Sequence, residues 1–300
     1  DMSNSIHNGV IICNPHVPAM KVDVLYHVGL DTDTTDLRKQ FSDVKVSLNH
    51  VFVIMGGSPK RMKKIAESLL KALDVQLPCG TGLANIACAS DRYEMYKVGP
   101  ILSVSVSLLL TLHGMGVPSI SILLHEMAKL LYHAGCQDVS FIRLGTCKTV
   151  RRPAHLDEHL VKELIETAES MKPDFNVVAG KTMCADDFYE GHQGHFIVDV
   201  EQGRLDGAIC EYSEEEKMTF LKKAYDCGVR NFEMESLGFA AFCQHLKIKG
   251  EISRNVSAAV ICVTLVNRLV SDQISTPFEI LHAWQERPLE ILINYIKNQI

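Results

Sequence analysis

Short apolar runs alternate along the chain with longer segments in which apolar residues recur every three or four positions. The first pattern is typical of buried strands, and the second predicts amphipathic helices. The clearest examples are the run at 51–54 before the helical pattern of 62–73, and the helical pattern of 120–134 before the run at 139–144. We predict further strands at 23–28, 92–98, 101–105, 176–179 and 258–265, and further helices at 155–171, 214–227, 233–246 and 277–298.

Alternating strands and helices predict an α/β fold in which a largely parallel or mixed sheet is covered on both faces. No linker divides the sequence, so we expect residues 1–300 to form a single domain. In such sheets, ligands bind at the carboxyl ends of the strands. We therefore expect a functional site where the predicted strands end.

Composition argues against several classes of function. A formal net charge of −6 and a pI near 6.1, with scattered basic residues, argue against nucleic acid or an anionic membrane as the main partner. The sequence shows no signal-peptide pattern and no apolar run of transmembrane length, so we expect a cytoplasmic protein. None of the ten cysteines forms a Cys-x-x-Cys pair, which favours buried free thiols over metal ligands, and we expect no metal.

Two local patterns point to a charged ligand. Segment 55–61 has the sequence Met-Gly-Gly-Ser-Pro-Lys-Arg, whose glycines let the backbone approach a ligand while the next helix and Arg61 suit an anion. Segment 233–236, Glu-Met-Glu-Ser, is predicted to open a helix with two carboxylates. Each pattern alone also fits an ordinary structural role, since many Gly-Gly turns only connect elements and acidic residues suit a helix N-terminus.

A series of motifs extends over nearly the whole chain and carries a family resemblance. The motifs occupy residues 56–61, 91–100, 113–119, 142–146, 187–191, 202–207, 231–236, 263–268 and 272–274. In this order they resemble the uridine phosphorylases of the nucleoside phosphorylase family, and the Gln-Gly-Arg of 202–204 is similar to the uracil-specific branch. The resemblance implies a three-layer α/β/α sandwich with a mixed central sheet.

The resemblance also implies a reaction. Inorganic phosphate would attack C1′ of uridine or deoxyuridine and release uracil and a sugar 1-phosphate, with phosphate as co-substrate and no cofactor. It implies a homodimer in which Arg92 and His27 reach across the interface to the phosphate and to the 5′ side of the sugar. The remaining phosphate contacts would come from Gly57, Arg61, Arg143 and Thr146.

For the nucleoside, the resemblance places Met234 and Glu235 against the ribose. It assigns the base to Phe188, Gln202, Arg204, Leu265, Val266 and Ile274. Catalysis would depend on Arg204, Glu235 and Arg143, with Arg204 neutralising the charge that grows on uracil as the glycosidic bond breaks.

Taken one at a time, these residues also fit ordinary structural roles. A single arginine near a strand end is often part of a surface ion pair, and a lone histidine such as His27 is normally structural. The stripe of Met127, Leu130 and Leu131 is typical of a helix core. The histidine pairs at 155 and 159 and at 192 and 195 lack the further ligands that a zinc site needs.

The sequence departs from the family pattern at several places. A Gly-Gly turn and hairpin are missing after Cys147, so we expect the sheet to be incomplete there and Thr146 to be left at the junction. Apparent insertions occupy 46–51, 106–112, 192–201 and 250–257. The segment 106–112 is uncharged and prone to β-structure, and as an insertion it would interrupt a motif just before His113.

Three of these insertions contain Val-Ser, which suggests translated introns and a splice-variant-like product. Sequencing full-length transcripts tests this hypothesis.

The sequence leaves three functions open. We expect a uridine phosphorylase; the alternatives are a catalytically impaired relative that binds nucleoside or dimerises with an active subunit, and an enzyme of the family acting on another nucleoside. Gln202 and Arg204 argue against a purine, whose ring N–H groups suit an acidic partner.

Overall fold

The structure of the protein is a computed structural model. It describes residues 10, 12, 14–41, 50–77, 79–87, 92–101, 106–136, 138–146, 156–185, 205–206, 213–249 and 256–299.

A mixed sheet of five strands forms the centre of the described fold. The strands of the chain are β1 Val24–Leu25, β2 Leu30–Asp31, β3 His50–Gly56, β4 Met95–Ile101, β5 Val106–Leu112, β6 Asp138–Thr146, β7 Lys181–Cys184, β8 Val229–Glu233 and β9 Val256–Val263. The central sheet has the order β4-β5-β3-β6-β9, in which only β4 is antiparallel to its neighbour. β1 pairs with β2, and β7 pairs with β8, in two small separate sheets.

Helices cover both faces of this sheet. They are α1 Leu37–Phe41, α2 Pro59–Ala72, α3 Val117–Ala134, α4 Glu158–Met171, α5 Glu214–Asp226, α6 Ser236–Lys249 and α7 Phe278–Gln299, with a short 3₁₀ helix at Val17–Ala19. Along β3, Val51 and Val53 pack into one core with α3 and α6, while Phe52 and Ile54 pack into a second core with α2, α4 and α7. Because successive strand residues point to opposite faces, this alternation gives the predicted three-layer α/β/α sandwich.

Most predicted elements are present with shifted ends, and two predictions are wrong. The strand expected at 176–179 is irregular backbone with Val177 and Val178 exposed, and the strand of this region is β7. The helix expected from Glu233 begins at Ser236, because Glu233 is the last residue of β8. The expected strand at 23–28 is reduced to the two residues of β1, and a turn follows it.

The segment 106–112, which departs from the family pattern, lies inside the central sheet. It forms β5, which pairs with β3 on one side and with β4 on the other. Leu110 and Thr111 are fully buried. The same apolar, uncharged sequence that would be a hazard on a surface suits an interior strand, and His113 consequently follows directly at the carboxyl end of β5.

The expected gap in the sheet after Cys147 falls on residues outside those described. β6 pairs with β9 as far as Thr146, opposite Val263. Among the described strands, β9 is the last one on this side of the sheet.

Candidate active site

The loop between β3 and α2 lies at the carboxyl edge of the sheet, and its two glycines pack closely against their neighbours. A Cβ on Gly56 would collide with the sulfur of Met62, and a Cβ on Gly57 would lie 3.3 Å from the carbonyl oxygen of Gly114. α2 then begins with Pro59, and Arg61 lies in its first turn. The loop therefore brings backbone N–H groups and a helix N-terminus to the ends of β3 and β5, which favours an anion.

Arg143 is the most buried cation at this edge. It lies near the end of β6, beside Met55 of β3, and its side chain is 3% exposed. Its Nη1 lies 3.0 Å from Oε2 of Glu233, and its Nη2 donates to Oε2 of Glu235. A Cβ on Gly145 would lie 2.7 Å from Cζ of Arg143, so glycine at this position lets the guanidinium group lie against the strand.

The two carboxylates are held by backbone groups as well. Glu233 accepts hydrogen bonds from the backbone N–H groups of Glu235 and Ser236 at 2.8 and 2.7 Å. Glu235 accepts one from the N–H of Gly116 at 2.6 Å, at the N-terminus of α3. Burial raises the pKa of Glu233, and the charge of Arg143 opposes that rise. Arg143 thus links β6, the β8–α6 connection and, through Glu235, the start of α3.

Arg61 and His113 add two further polar groups to this edge. Nη2 of Arg61 donates to the carbonyl oxygen of Gln285 at 3.3 Å, while its buried Nε has no hydrogen-bond partner among the described residues. His113 is 1% exposed, and neither ring nitrogen has a partner among those residues. Burial lowers the pKa of Arg61, and the nearby charge of Arg143 lowers it further.

We expect His113 to make stability depend on pH. Burial, and then the charge of Arg143, hold the pKa of His113 well below its usual range, so the imidazole is neutral in the folded protein. In the unfolded chain it titrates near about 6.5, so the unfolded state gains a proton below that pH and the folded state does not. The free energy of unfolding should therefore fall as the pH decreases, by at most about 1.4 kcal/mol per pH unit for this group.

Urea unfolding of the wild type and of His113→Gln across this range tests the expectation. His50, whose pKa burial also lowers, acts in the same direction in both proteins. The comparison therefore isolates His113, and the variant should show the shallower pH dependence. Equal slopes would contradict a neutral, buried His113.

His27 and Arg92 both lie next to Tyr93. His27 is in the turn between β1 and β2 and is bound to Glu126 of α3 through its Nδ1 at 2.8 Å. Arg92 has an exposed side chain and precedes Tyr93, whose ring centroid is 6.3 Å from that of His27. The two residues predicted to act across an interface therefore lie in the same region of the surface.

The residues predicted to hold the base are only partly described. Leu265 and Val266 follow the end of β9 and are half-buried, and Ile274 is exposed. Met234 is half-buried between Glu233 and Glu235. Thr146 is the last residue of β6. Phe188, Gln202 and Arg204 lie outside the described residues.

A buried charge cluster lies next to the predicted base-reading segment. Asp272 binds Nζ of Lys217 at 2.7 Å and Nη2 of Arg268 at 2.9 Å, and it accepts a hydrogen bond from the backbone N–H of Leu205 at 3.1 Å. Burial alone would raise the pKa of Asp272. The hydrogen bond from Lys217 and the charge of Arg268 outweigh this effect, so the pKa of Asp272 is lowered. Since Leu205 follows Arg204 in the sequence, this cluster fixes the chain one residue after a predicted catalytic group.

Three residues of the site have roles that the sequence does not reveal. The sequence indicates only a helix start for Glu233, gives no role to His113, and shows Asp272 only as part of a motif. The available signals are the position of His113 at the end of an apolar run and the spacing of Glu233 and Glu235 around a strand end. Neither signal identifies Arg143 as the common partner.

A cavity of about 1210 Å³ lies between β9, α4, α7 and the segment before β7. The cavity approaches Arg143 and its two glutamates through Ser236 and Cys262, which line it. Sγ of Cys262 lies 3.9 Å from Nη1 of Arg143. Gly57, Arg143 and Glu235 do not line it. The charged site is thus at the edge of this cavity rather than inside it.

The described residues show neither a metal cluster nor a membrane-spanning helix. No group of three or more His, Cys, Asp or Glu side chains there is arranged to hold a metal ion. No helix in the same part of the chain has the length and apolarity needed to cross a membrane.

Comparison with known proteins identifies the family. The sequence profile described as "Phosphorylase superfamily" matches residues 148–277. Over 333 aligned positions, which cover all of this chain and 96% of the relative, the sequence is 40% identical to uridine phosphorylase 1 of Mus musculus. The chain belongs to the uridine phosphorylase family. A solved uridine phosphorylase structure from the oomycete Phytophthora capsici matches this uridine phosphorylase fold with a TM-score of 0.79 and 37% identity, over 97% of this chain and 98% of the other.

Family membership alone does not decide activity among uridine phosphorylases. A relative from Schistosoma mansoni, 35% identical over 95% of both chains, is named "Inactive uridine phosphorylase B". The alignment to the mouse protein is longer than the 300 residues of this chain, so it contains gaps, as the departures from the family pattern require. Activity must therefore be argued from the residues of the site.

Proposed function

We propose that this chain is a uridine phosphorylase, which uses inorganic phosphate to cleave uridine to uracil and ribose 1-phosphate. One observation carries the proposal. Arg143, a candidate phosphate-binding residue, donates a hydrogen bond to Glu235, a candidate ribose-binding residue, beside the Gly56-Gly57 loop. The similarity over the whole chain to a protein named uridine phosphorylase 1 supports the choice of substrate.

In this proposal, phosphate binds to Gly57, Arg61, Arg143 and Thr146, with Arg92 supplied by a second subunit. A guanidinium group has five N–H donors, so Arg143 can bind phosphate while it holds the two glutamates. The N-terminus of α2 adds a favourable dipole for the dianion. Together these groups would stabilise the doubly charged phosphate and hold it below C1′ of the sugar.

Glu235 would accept hydrogen bonds from ribose hydroxyls, with Met234 packed on the sugar and His27 of a second subunit at the 5′ hydroxyl. Its bond to Arg143 then fixes the sugar relative to phosphate, and such alignment is a major source of catalysis. Glu235 and Arg143 act as catalytic residues in this sense.

The base would lie against Leu265, Val266, Ile274 and Phe188, with Gln202 on its amide edge. A phosphate oxygen forms a bond to C1′ as the C1′–N1 bond breaks, and the electron pair passes into uracil, which later takes up a proton. Arg204 stabilises the negative charge that develops on the base. The cluster around Asp272 supports this role, because it fixes Leu205.

We further propose a homodimer, active as a single domain over residues 1–300, cytoplasmic and without a cofactor or metal. Exposed apolar side chains of Val24, Tyr26 and Met115 support the dimer, because the first two lie within three residues before His27 and Met115 precedes α3, which holds His27. Large exposed apolar residues that gather on one surface are typical of interfaces.

The test is the release of uracil from uridine by the purified protein, with and without inorganic phosphate. We expect release only with phosphate, together with an equal amount of ribose 1-phosphate. Release without phosphate would indicate a hydrolase of the same family. No release from folded protein would contradict the proposal and favour a catalytically impaired relative that binds nucleoside.

A further inference from the structure

Glu126 of α3 binds the turn that carries His27 through three hydrogen bonds. Its Oε1 accepts from the backbone N–H of His27 at 3.0 Å and lies 2.8 Å from Nδ1 of the same residue. Its Oε2 accepts from the N–H of Val28 at 2.8 Å. The side chain of Glu126 is 12% exposed, so these bonds are largely shielded from water.

This geometry fixes the tautomer of His27. An ionised carboxylate only accepts hydrogen bonds, so the Nδ1 that faces Glu126 must carry the proton. In the neutral imidazole, Nε2 is then an acceptor, as with histidines oriented by a carboxylate in other sites. The His27 side chain is 31% exposed, which leaves part of the ring open to another molecule.

We propose that Glu126 is a positioning residue for recognition of the 5′ hydroxyl of the nucleoside, because it fixes His27 in the orientation and tautomer that accept a hydrogen bond from that hydroxyl. The inference rests on the proposed function, in which His27 contacts the 5′ side of the sugar in the site of a second subunit. In this proposal Glu126 contacts neither uridine nor phosphate, and it acts on recognition only through His27.

A second tether on the same hairpin distinguishes this role from a merely structural one. Asp23, just before β1, binds Nε2 of His133 at 2.8 Å and Nζ of Lys129, both also on α3. Its side chain is 2% exposed. Asp23 therefore fastens the same hairpin to the same helix without contacting His27, and Asp23→Asn is a matched control.

The experiment compares uridine with 5′-deoxyuridine, which lacks the hydroxyl. Glu126→Ala should lower kcat/KM for uridine by about tenfold, the effect of one lost hydrogen bond. The kcat/KM for 5′-deoxyuridine should stay nearly unchanged. Glu126→Gln keeps an amide oxygen that can accept from Nδ1–H, and should recover part of the preference for uridine. Asp23→Asn should change kcat/KM for the two nucleosides by the same factor.

A second measurement is independent of turnover. The ¹⁵N NMR shifts of the His27 ring, assigned by comparison with His27→Asn, should show the Nδ1–H tautomer in the wild type and its loss in Glu126→Ala. An equal loss of activity on both nucleosides in Glu126→Ala, or an unchanged tautomer, would overturn the inference. A wild type that cleaves neither nucleoside would instead refute the proposed function, and the role of Glu126 with it.

Discussion

Replacing Arg143 with methionine should lower the free energy of unfolding by about 3–5 kcal/mol, the usual effect of breaking a buried ion pair. Glu233 and Glu235 would then keep their buried positions without the guanidinium group that compensates their charge. Phosphate-dependent release of uracil should also fall, by about 10²–10³-fold, because the variant loses a charged donor at the reacting anion. Chemical denaturation and an initial-rate assay measure the two effects.

Arg230→Met is the control for this prediction. Arg230 is exposed, and its Nη1 donates to the carbonyl oxygens of Tyr225 and Val229. We expect it to change the free energy of unfolding by no more than about 1 kcal/mol and to leave uracil release nearly unchanged. A similarly small stability loss in Arg143→Met would mean that the ion pairs with Glu233 and Glu235 do not form in solution.

Replacing Arg204 with alanine should reduce kcat for uracil release by about 10²–10³-fold, the usual effect of removing one donor that stabilises developing charge. The effect should fall on kcat more than on KM, because the charge on uracil grows only as the glycosidic bond breaks. Steady-state kinetics with varied uridine at saturating phosphate measures both constants.

Arg204→Lys is the matched control, since it keeps the positive charge and loses the planar fork of donors. We expect its kcat to lie between those of the wild type and Arg204→Ala. A kcat for Arg204→Ala equal to that of the wild type would show that the leaving base is stabilised elsewhere. The neighbouring cluster of Lys217, Arg268 and Asp272 would then be the first place to look.

The most regular patterns of the sequence predict the fold well. β3 and α3 lie close to their expected positions, because an apolar run before Gly-Gly and a long amphipathic stretch each allow few other interpretations. The strand expected at 176–179 is absent because a short apolar run does not show whether it will be buried, and Val178 is 64% exposed. The segment 106–112 is expected to be prone to β-structure and forms the interior strand β5, while its status as an insertion relative to the family stays a prediction.

The candidate site is predicted unevenly for a related reason. The Gly56-Gly57 loop, Arg61, Arg143 and Glu235 are visible in the sequence as residues at strand ends and in family motifs. Their mutual contacts are not visible, since no local pattern shows that Glu233 and Glu235 share Arg143. The positions of Phe188, Gln202 and Arg204 relative to the base remain predictions, because they lie outside the described residues.

The sequence by itself determined the alternation of strands and helices, the glycine-rich loop and the similarity to uridine phosphorylases, because these depend on residue type and spacing along the chain. The tertiary structure alone decided which distant groups meet. Arg143 and Glu235 are 92 residues apart, and His27 and Glu126 are 99 residues apart. Such pairs form because the order of strands in the sheet, and the packing of α3 against the β1–β2 hairpin, bring separate segments together. Local periodicity carries no information about that order.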